Sequence, residues 1–400
     1  MPSLRDPIRP PSLTPAEARE FHYQALVVDA QQPPTTSGFL FNDNMRAALA
    51  KLHEQGLTTG EAGGQMARMA AREVQTNPSA AKEYLDLWHT SGVTVGAGTY
   101  TAGTRIEVAF ESAVKGIAEA RSMIDALDGE LVLVLEADDI ERAYSDGKHG
   151  MIIDFQNTLP FGTDIERIDL FHNLGLRQVQ LTYNLRNLVG DGCTEHNAGG
   201  ITYFGRTVVA RLNELNMIVD VSHCSEPVGW DAIELSTAPV IVSHSNAKAV
   251  TYHDRAKSDE LAKAIADQEG FFGVTIVPGF VQDESTAASL DQFVDHVVHL
   301  VNVMGIDHVG VGNDKCGPGP QTGSLIEYPE DMPTLRPGAF DWSGFRPEHR
   351  VHGDYHNTDY QTFADWPLLT MALANRGFNE EELRKLLGLN YLRVFRQIVG

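Results

Sequence analysis

Two histidines end two successive strand-like segments, in Asp220-Val221-Ser222-His223 and in Val242-Ser243-His244. Each follows a short apolar run, Met217–Val221 and Pro239–Val242. A neutral imidazole presents a lone pair that binds a metal ion, and a metal-bound water attacks amide and ester carbons. Asp314, in Val311-Gly312-Asn313-Asp314 at the end of a later apolar run, adds a carboxylate. His223, His244 and Asp314 are therefore the candidate ligand set. A single strand-end histidine is more often a hydrogen-bonded rim residue. Two at successive strand ends, in Ser-His-Cys-Ser and Ser-His-Ser-Asn, favour a shared metal. His172, His296 and His299 fall in helical segments and are expected to pack or face solvent.

Positioning such residues is the work of the segments that precede them. Eight apolar runs rich in Val and Ile recur, at Ala25–Val28, Gly92–Ala97, Gly150–Phe155, Gln178–Thr182, Met217–Ser222, Pro239–Ser243, Gly270–Val277 and His308–Gly312. Helix-length segments separate them. Strand and helix in alternation give βαβ units and a parallel sheet, and eight units close a (β/α)8 TIM-type barrel whose functional side chains gather at the C-terminal strand ends. An open doubly wound sheet is the competing architecture, but no glycine-rich dinucleotide fingerprint follows the first strand. The whole chain, 1–400, reads as one such domain. Two additions should cover the mouth: a helical insertion over 34–90 and a long Pro-, Gly- and aromatic-rich loop over 317–362. A ninth run, Leu131–Leu135, reads as a small strand outside the barrel, and Asn187–Gly200 as a loop overhanging the mouth from which Asp191, Glu195 or His196 could enter it.

The 400 residues carry a net charge of -23, which argues against nucleic acid and anionic membranes as partners. No apolar stretch is long enough to span a bilayer, and the first residues lack a secretory signal, so the expected location is cytoplasmic. Three scattered cysteines, Cys193, Cys224 and Cys316, make no disulfide framework. Buried inert thiols are the plain reading; Cys224 beside His223 and Cys316 near Asp314 leave a relocated soft metal site as the alternative.

Asp220-Val221-Ser222-His223, Ser243-His244-Ser245-Asn246-Ala247, then Arg255 and Ser258-Asp259-Glu260-Leu261 resemble the membrane (renal) dipeptidase family, metallopeptidase M19. Gly305–Asp314 and Gly388-Leu389-Asn390-Tyr391-Leu392-Arg393-Val394 add to the resemblance, whose order and spacing hold from about residue 25 to 398. It implies a (β/α)8 barrel, a homodimer and a two-zinc centre that hydrolyses dipeptides. In the family's pattern His223 and His244 hold one zinc, Asp314 serves the other and takes the proton from the water, and Arg255 holds the substrate carboxylate.

The first-zinc positions depart from that pattern. Gln31 and Pro33 stand where the family has a metal-binding His and Asp, Gln156 where it has a bridging Glu (Asp154 lies two residues earlier), and Tyr183 where it has an oxyanion-stabilising His. Glutamine is a poor ligand and proline none. A sub-branch of the family shares Gln156-Asn157-Thr158, Leu181–Asn184 and Asn187–Cys193. The expectation is thus a hydrolase of a dipeptide or small amide with one zinc per chain, two being the alternative. Asp314 and Tyr183 are the expected catalytic groups; Arg255, Gln156 and Asn184 are expected to bind substrate. Non-peptidase chemistry on an amino-acid-like metabolite, and an inactive family member, are the other readings.

Overall fold

A computed structural model gives the fold and describes residues 8–31, 42–57, 59–100, 106–314, 345–351 and 355–400. The eight expected runs form parallel strands: β1 (Val28–Asp29), β2 (Val95–Thr99), β4 (His149–Phe155), β5 (Leu176–Gln180), β6 (Ile218–Asp220), β7 (Val240–Ser245), β8 (Phe271–Val274) and β10 (Val309–Val311). They pair in the order β1-β2-β4-β5-β6-β7-β8-β10. The Ala30 N–H donates to Val311 O at 3.0 Å, bringing the last strand against the first and nearly closing the barrel. The strands are buried almost throughout, as a sheet covered on both faces requires.

The ninth run is β3 (Leu131–Leu133). It is in the same sheet, pairing with His149–Met151 at the start of β4, on a stretch that β5 leaves free because its own pairing begins at Ile153. Ala287–Ala288 (β9) and His356–Asn357 (β11) form a separate two-stranded pair.

Inside the barrel Val28, Ala97, Ile152, Ile218, Ile241 and Phe271 form one apolar cluster with Tyr391, Val394 and Phe395 of the final helix, Asn390–Ile398. A much larger cluster lies between the strands and the surrounding helices. The insertion after β1 holds three helices, Asp43–Glu54, Thr59–Thr76 and Pro78–Ser91. Asn42 and Asn77 cap the first and third through their side chains, and both also donate to Glu73, which therefore locks the insertion from its middle helix.

Of the long loop after β10, residues 345–351 and 355–362 are described; Pro33, Cys316 and the rest of that loop lie outside the described residues. The 345–351 segment packs against residues that follow β5, β7 and β8. Phe345 and Val351 pack with Val277 and Phe280, and Arg346 donates to Thr194 O at 3.0 Å and to Asp254 at 3.0 Å. Among the described residues no helix is long and apolar enough to cross a membrane.

Candidate functional site

β6 and β7 end in polar residues that are tied to one another before either imidazole is placed. Asp220 is fully buried, and its Oδ1 accepts from Ser222 N (2.9 Å), Ser222 Oγ (2.6 Å) and Ser243 N (3.1 Å), while its Oδ2 accepts from Ser243 Oγ (2.5 Å). One carboxylate thus fixes both strand ends. Close packing allows it: a Cβ on Gly273 of β8 would lie 2.0 Å from Ser243 O, so only glycine fits there.

The rings follow. His244 Nδ1 lies 2.7 Å from Ser243 Oγ, whose own proton goes to Asp220, so the imidazole must donate at Nδ1. His223 Nδ1 lies 2.7 Å from Asn184 Oδ1, an acceptor, so it also donates at Nδ1. A neutral ring carries one N–H. Both Nε2 atoms are therefore bare lone pairs, and they face each other at 3.0 Å. Two lone pairs at that separation repel unless a cation lies between them. A proton is disfavoured there, because burial, joined by the Arg255 and Lys257 charges, pushes both imidazoles well below their usual range. Two nitrogens on one tetrahedral zinc are about 3.3 Å apart by its usual bond lengths. His223 and His244 fit one such ion.

Asp314 stands off this pair. Its Oδ2 is 3.9 Å from His244 Nε2, and among the described residues no three His, Cys, Asp or Glu side chains gather closely enough to hold an ion. The expected trio is thus a pair with a carboxylate beside it. The backbone explains the offset: Asp314 takes a left-handed φ of 55°, and its N–H donates to Gln31 O at 3.2 Å. Burial pushes its carboxyl up to about 7, against the opposing charge of Arg255.

Tyr183 stacks on His223, ring centroids 4.2 Å apart and planes 21° apart. Asn184 sits behind His223 with its Oδ1 on the ring. Arg255 is buried, and its guanidinium donates to two main-chain carbonyls, those of Ser222 and of His244. Gln156 is buried at the end of β4, and its carbonyl accepts from Gln180 Nε2 at 2.7 Å.

The β1–β4 side of the mouth differs. Gln31 Nε2 donates to Thr99 Oγ1 at 2.6 Å, which leaves its buried Oε1 without a partner. Neither oxygen of Asp154 has a hydrogen-bond partner, and the residue is fully buried. Burial pushes that carboxyl well up; the facing Thr99 hydroxyl lowers it, the Asp220 and Asp314 charges raise it, and the Gln31 amide lowers it.

The overhanging loop brings none of its acids to the imidazoles. Asp191 is held by Arg186 and by Gly199 N at 2.6 Å, Glu195 accepts from Arg186 N at 2.8 Å, and His196 is exposed. Instead the loop folds under His223. Cys193 N donates to His223 O at 2.8 Å, and Gly192 pairs with Cys224. Cys193 and Cys224 are free and buried, and burial pushes both thiols up, Cys224 to about 11. His296 packs, its Nε2 2.9 Å from Val281 O, and His299 pairs with Asp259 at 2.8 Å. The partners sequence reasoning did not assign are Asp220, Ser243 and the orienting role of Asn184. The acid two residues before a strand-end Ser-His was their one visible signal.

A near-closed parallel barrel with paired imidazoles and a carboxylate at its mouth defines a metal-dependent hydrolase-type α/β barrel. The model of the membrane dipeptidase family (peptidase family M19) matches residues 51–334, and the chain belongs to that family. Among relatives, dipeptidase tcpJ of Claviceps purpurea is 29% identical over 265 residues, covering 66% of this chain and 54% of its own; the chain thus spans about half of that relative. An uncharacterized protein from the pqqA 5' region of Klebsiella pneumoniae is 30% identical over 291 residues, covering 70% of this chain and 94% of its own. A solved amidohydrolase from Pseudomonas aeruginosa superposes with a TM-score of 0.68 at 25% identity, covering 97% of this chain and 100% of that one.

Proposed function

We propose that this protein hydrolyses a dipeptide or a small amide with one zinc ion per chain, held by His223 and His244. The observation that carries the reading is the pair of bare Nε2 atoms 3.0 Å apart, with both Nδ1 atoms committed to fixed acceptors. When bound, the ion would lower the pKa of a water and polarise the amide carbonyl. Asp314, its carboxyl pushed up to about 7, is suited to take a proton and return it near neutral pH. Tyr183 opposes the developing oxyanion, and Gln156 lines the substrate. Family membership supports the small peptide-like substrate, and the resemblance supports a homodimer.

The test is a count of ions per chain after zinc loading, joined to hydrolysis of a panel of dipeptides and amides. One zinc with zinc-dependent cleavage supports the reading. Two ions would overturn the count and require ligands beyond those named. One zinc with every substrate intact would move the assignment to non-peptidase chemistry in the same pocket.

A further inference from the structure

Three consecutive residues lead into Arg255 after β7, and each is bonded to the 345–351 segment. Tyr252 O accepts from Arg350 Nη2 at 2.9 Å. His253 Nε2 lies 2.7 Å from His349 O and, facing a carbonyl, must donate. Asp254 Oδ2 accepts from Arg346 Nη2 and from His349 Nε2, both at 3.0 Å. His349 donates there because its Nδ1 already accepts from Arg346 N at 2.8 Å. The His349 hydrogen bond holds the Asp254 carboxyl down, to about 2, so the acceptor is an anion.

The segment is anchored beyond this loop as well. Arg346 Nη1 donates to Thr194 O after β5, and Arg350 Nε donates to Gly279 O after β8, both at 3.0 Å. A Cβ on Gly279 would lie 1.9 Å from Arg350 O, so only glycine permits that approach.

The hold reaches Arg255 through one ring. His253 is 1% exposed, and burial pushes its imidazole down to about 3, so it stays neutral with a single N–H. That N–H goes to His349 O, which leaves Nδ1 as a bare lone pair, and Arg255 N donates to it at 2.9 Å. Ser245 Oγ donates to Arg255 O at 2.9 Å, so the main chain of Arg255 is held from both sides. Its guanidinium then has Nη1 on Ser222 O and Nη2 on His244 O, with Nε buried and without a hydrogen-bond partner. A substrate carboxylate would satisfy that donor.

We propose that His253 is a positioning residue: its ring ties the 345–351 segment to the main chain of Arg255, so that the packing of this segment sets how well the arginine receives a substrate carboxylate. The proposal rests on the dipeptidase reading, with Arg255 as the group that takes the carboxylate. It places the effect on binding of the acid and none on the metal pair.

The experiment compares the full-length protein with His253→Ala, Arg346→Met and the double variant. KM and kcat are measured at saturating zinc for a cleaved dipeptide and for its C-terminal amide, and zinc affinity is measured by chelator competition. His253→Ala should raise KM for the acid on the order of tenfold, the size of one lost hydrogen bond. KM for the amide, kcat and zinc affinity should not change. Arg346→Met should act in the same direction and less, because the Arg350 contacts remain. In the double variant the arginine change should add nothing, since the ring that carries its effect is gone. Equal rises for acid and amide, a fall in zinc affinity, or two additive effects would each overturn the proposal. Should His253→Ala fail to fold, Arg346→Met alters a partly exposed side chain and still decides by the ratio of acid to amide KM.

If no dipeptide is cleaved, the same comparison is made by calorimetry, as binding of Ala-Ala and of Ala-Ala amide to the zinc-loaded protein. The lack of hydrolysis then counts against the proposed function alone, and the acid-to-amide ratio still decides this proposal. A parent that binds acid and amide equally would overturn it, because Arg255 would then hold no carboxylate.

Discussion

Behind His223 and His244 each Nδ1 meets an acceptor: Asn184 Oδ1 for one, and for the other a serine hydroxyl whose proton is already given to Asp220. Around Gln31 and Asp154, Gln31 Oε1 and both Asp154 carboxyl oxygens are buried without a hydrogen-bond partner, although the Thr99 hydroxyl and the Gln31 amide face the carboxyl and lower it. Both regions are buried and polar, and both sit at strand ends of one barrel. One aims lone pairs outward at a shared point and has everything behind them satisfied. The other leaves buried oxygens on Gln31 and Asp154 without a hydrogen-bond partner. A ligand set for a soft or borderline cation needs the first kind of wiring; the second kind is completed by a single proton.

The largest effect that would sharpen this contrast comes from the imidazoles themselves. His223→Ala or His244→Ala should cost more zinc affinity than the roughly 10–100-fold typical of an outer partner, and take zinc-dependent hydrolysis with it. Gln31→Ala should leave the zinc count unchanged. Equal losses in the two regions, read by chelator competition, would erase the distinction.

Next in size is the orienting network. Ser243→Ala removes the acceptor that holds His244 in its Nδ1–H form, and should lower zinc affinity on the order of 10–100-fold without unfolding the barrel. The measurement is again competition for zinc, with circular dichroism as the control for folding. An unchanged affinity would mean that the ring is held by packing alone.

Much of the ligand-bearing region was legible in the sequence, and little of the contrast was. Eight Val- and Ile-rich runs separated by helix-length segments are a local pattern, and His223 and His244 follow two of them directly. Local order therefore places them at the mouth. Asn184 lies thirty-nine positions from His223, and its use as an acceptor depends on a loop in which a Cβ on Gly192 would lie 2.2 Å from Asn184 main-chain atoms. No periodicity reports such a contact. Asp314 was legible as a carboxylate at a strand end, but not its left-handed φ, which sets it back from the pair. The direction of the Arg255 side chain is likewise a tertiary fact: charge and position suit a substrate clamp, and only the fold shows both Nη atoms on carbonyls with a buried Nε left over.

The smallest expected effect tests the proton-short region. Asp154→Asn keeps the shape and adds an amide donor that can face Gln31 Oε1. Burial raises the Asp154 carboxyl well above its ordinary value, so between that value and the raised one the folded state binds a proton that the unfolded state has released. Stability from this site is then fully present at low pH and is lost as pH rises through the raised value. Asparagine does not titrate. Its advantage should be near zero at about pH 4 and grow toward pH 8, where satisfying one buried polar group is worth on the order of 1 kcal/mol. Urea denaturation of both proteins at the two pH values measures the difference. The zinc count should not change, because among the described residues Asp154 does not gather with His223 and His244 into a group that could hold an ion. A variant whose stability relative to the parent falls between pH 4 and pH 8, or that loses a bound ion, would show Asp154 to be a working carboxylate and would make the two regions partners in one centre.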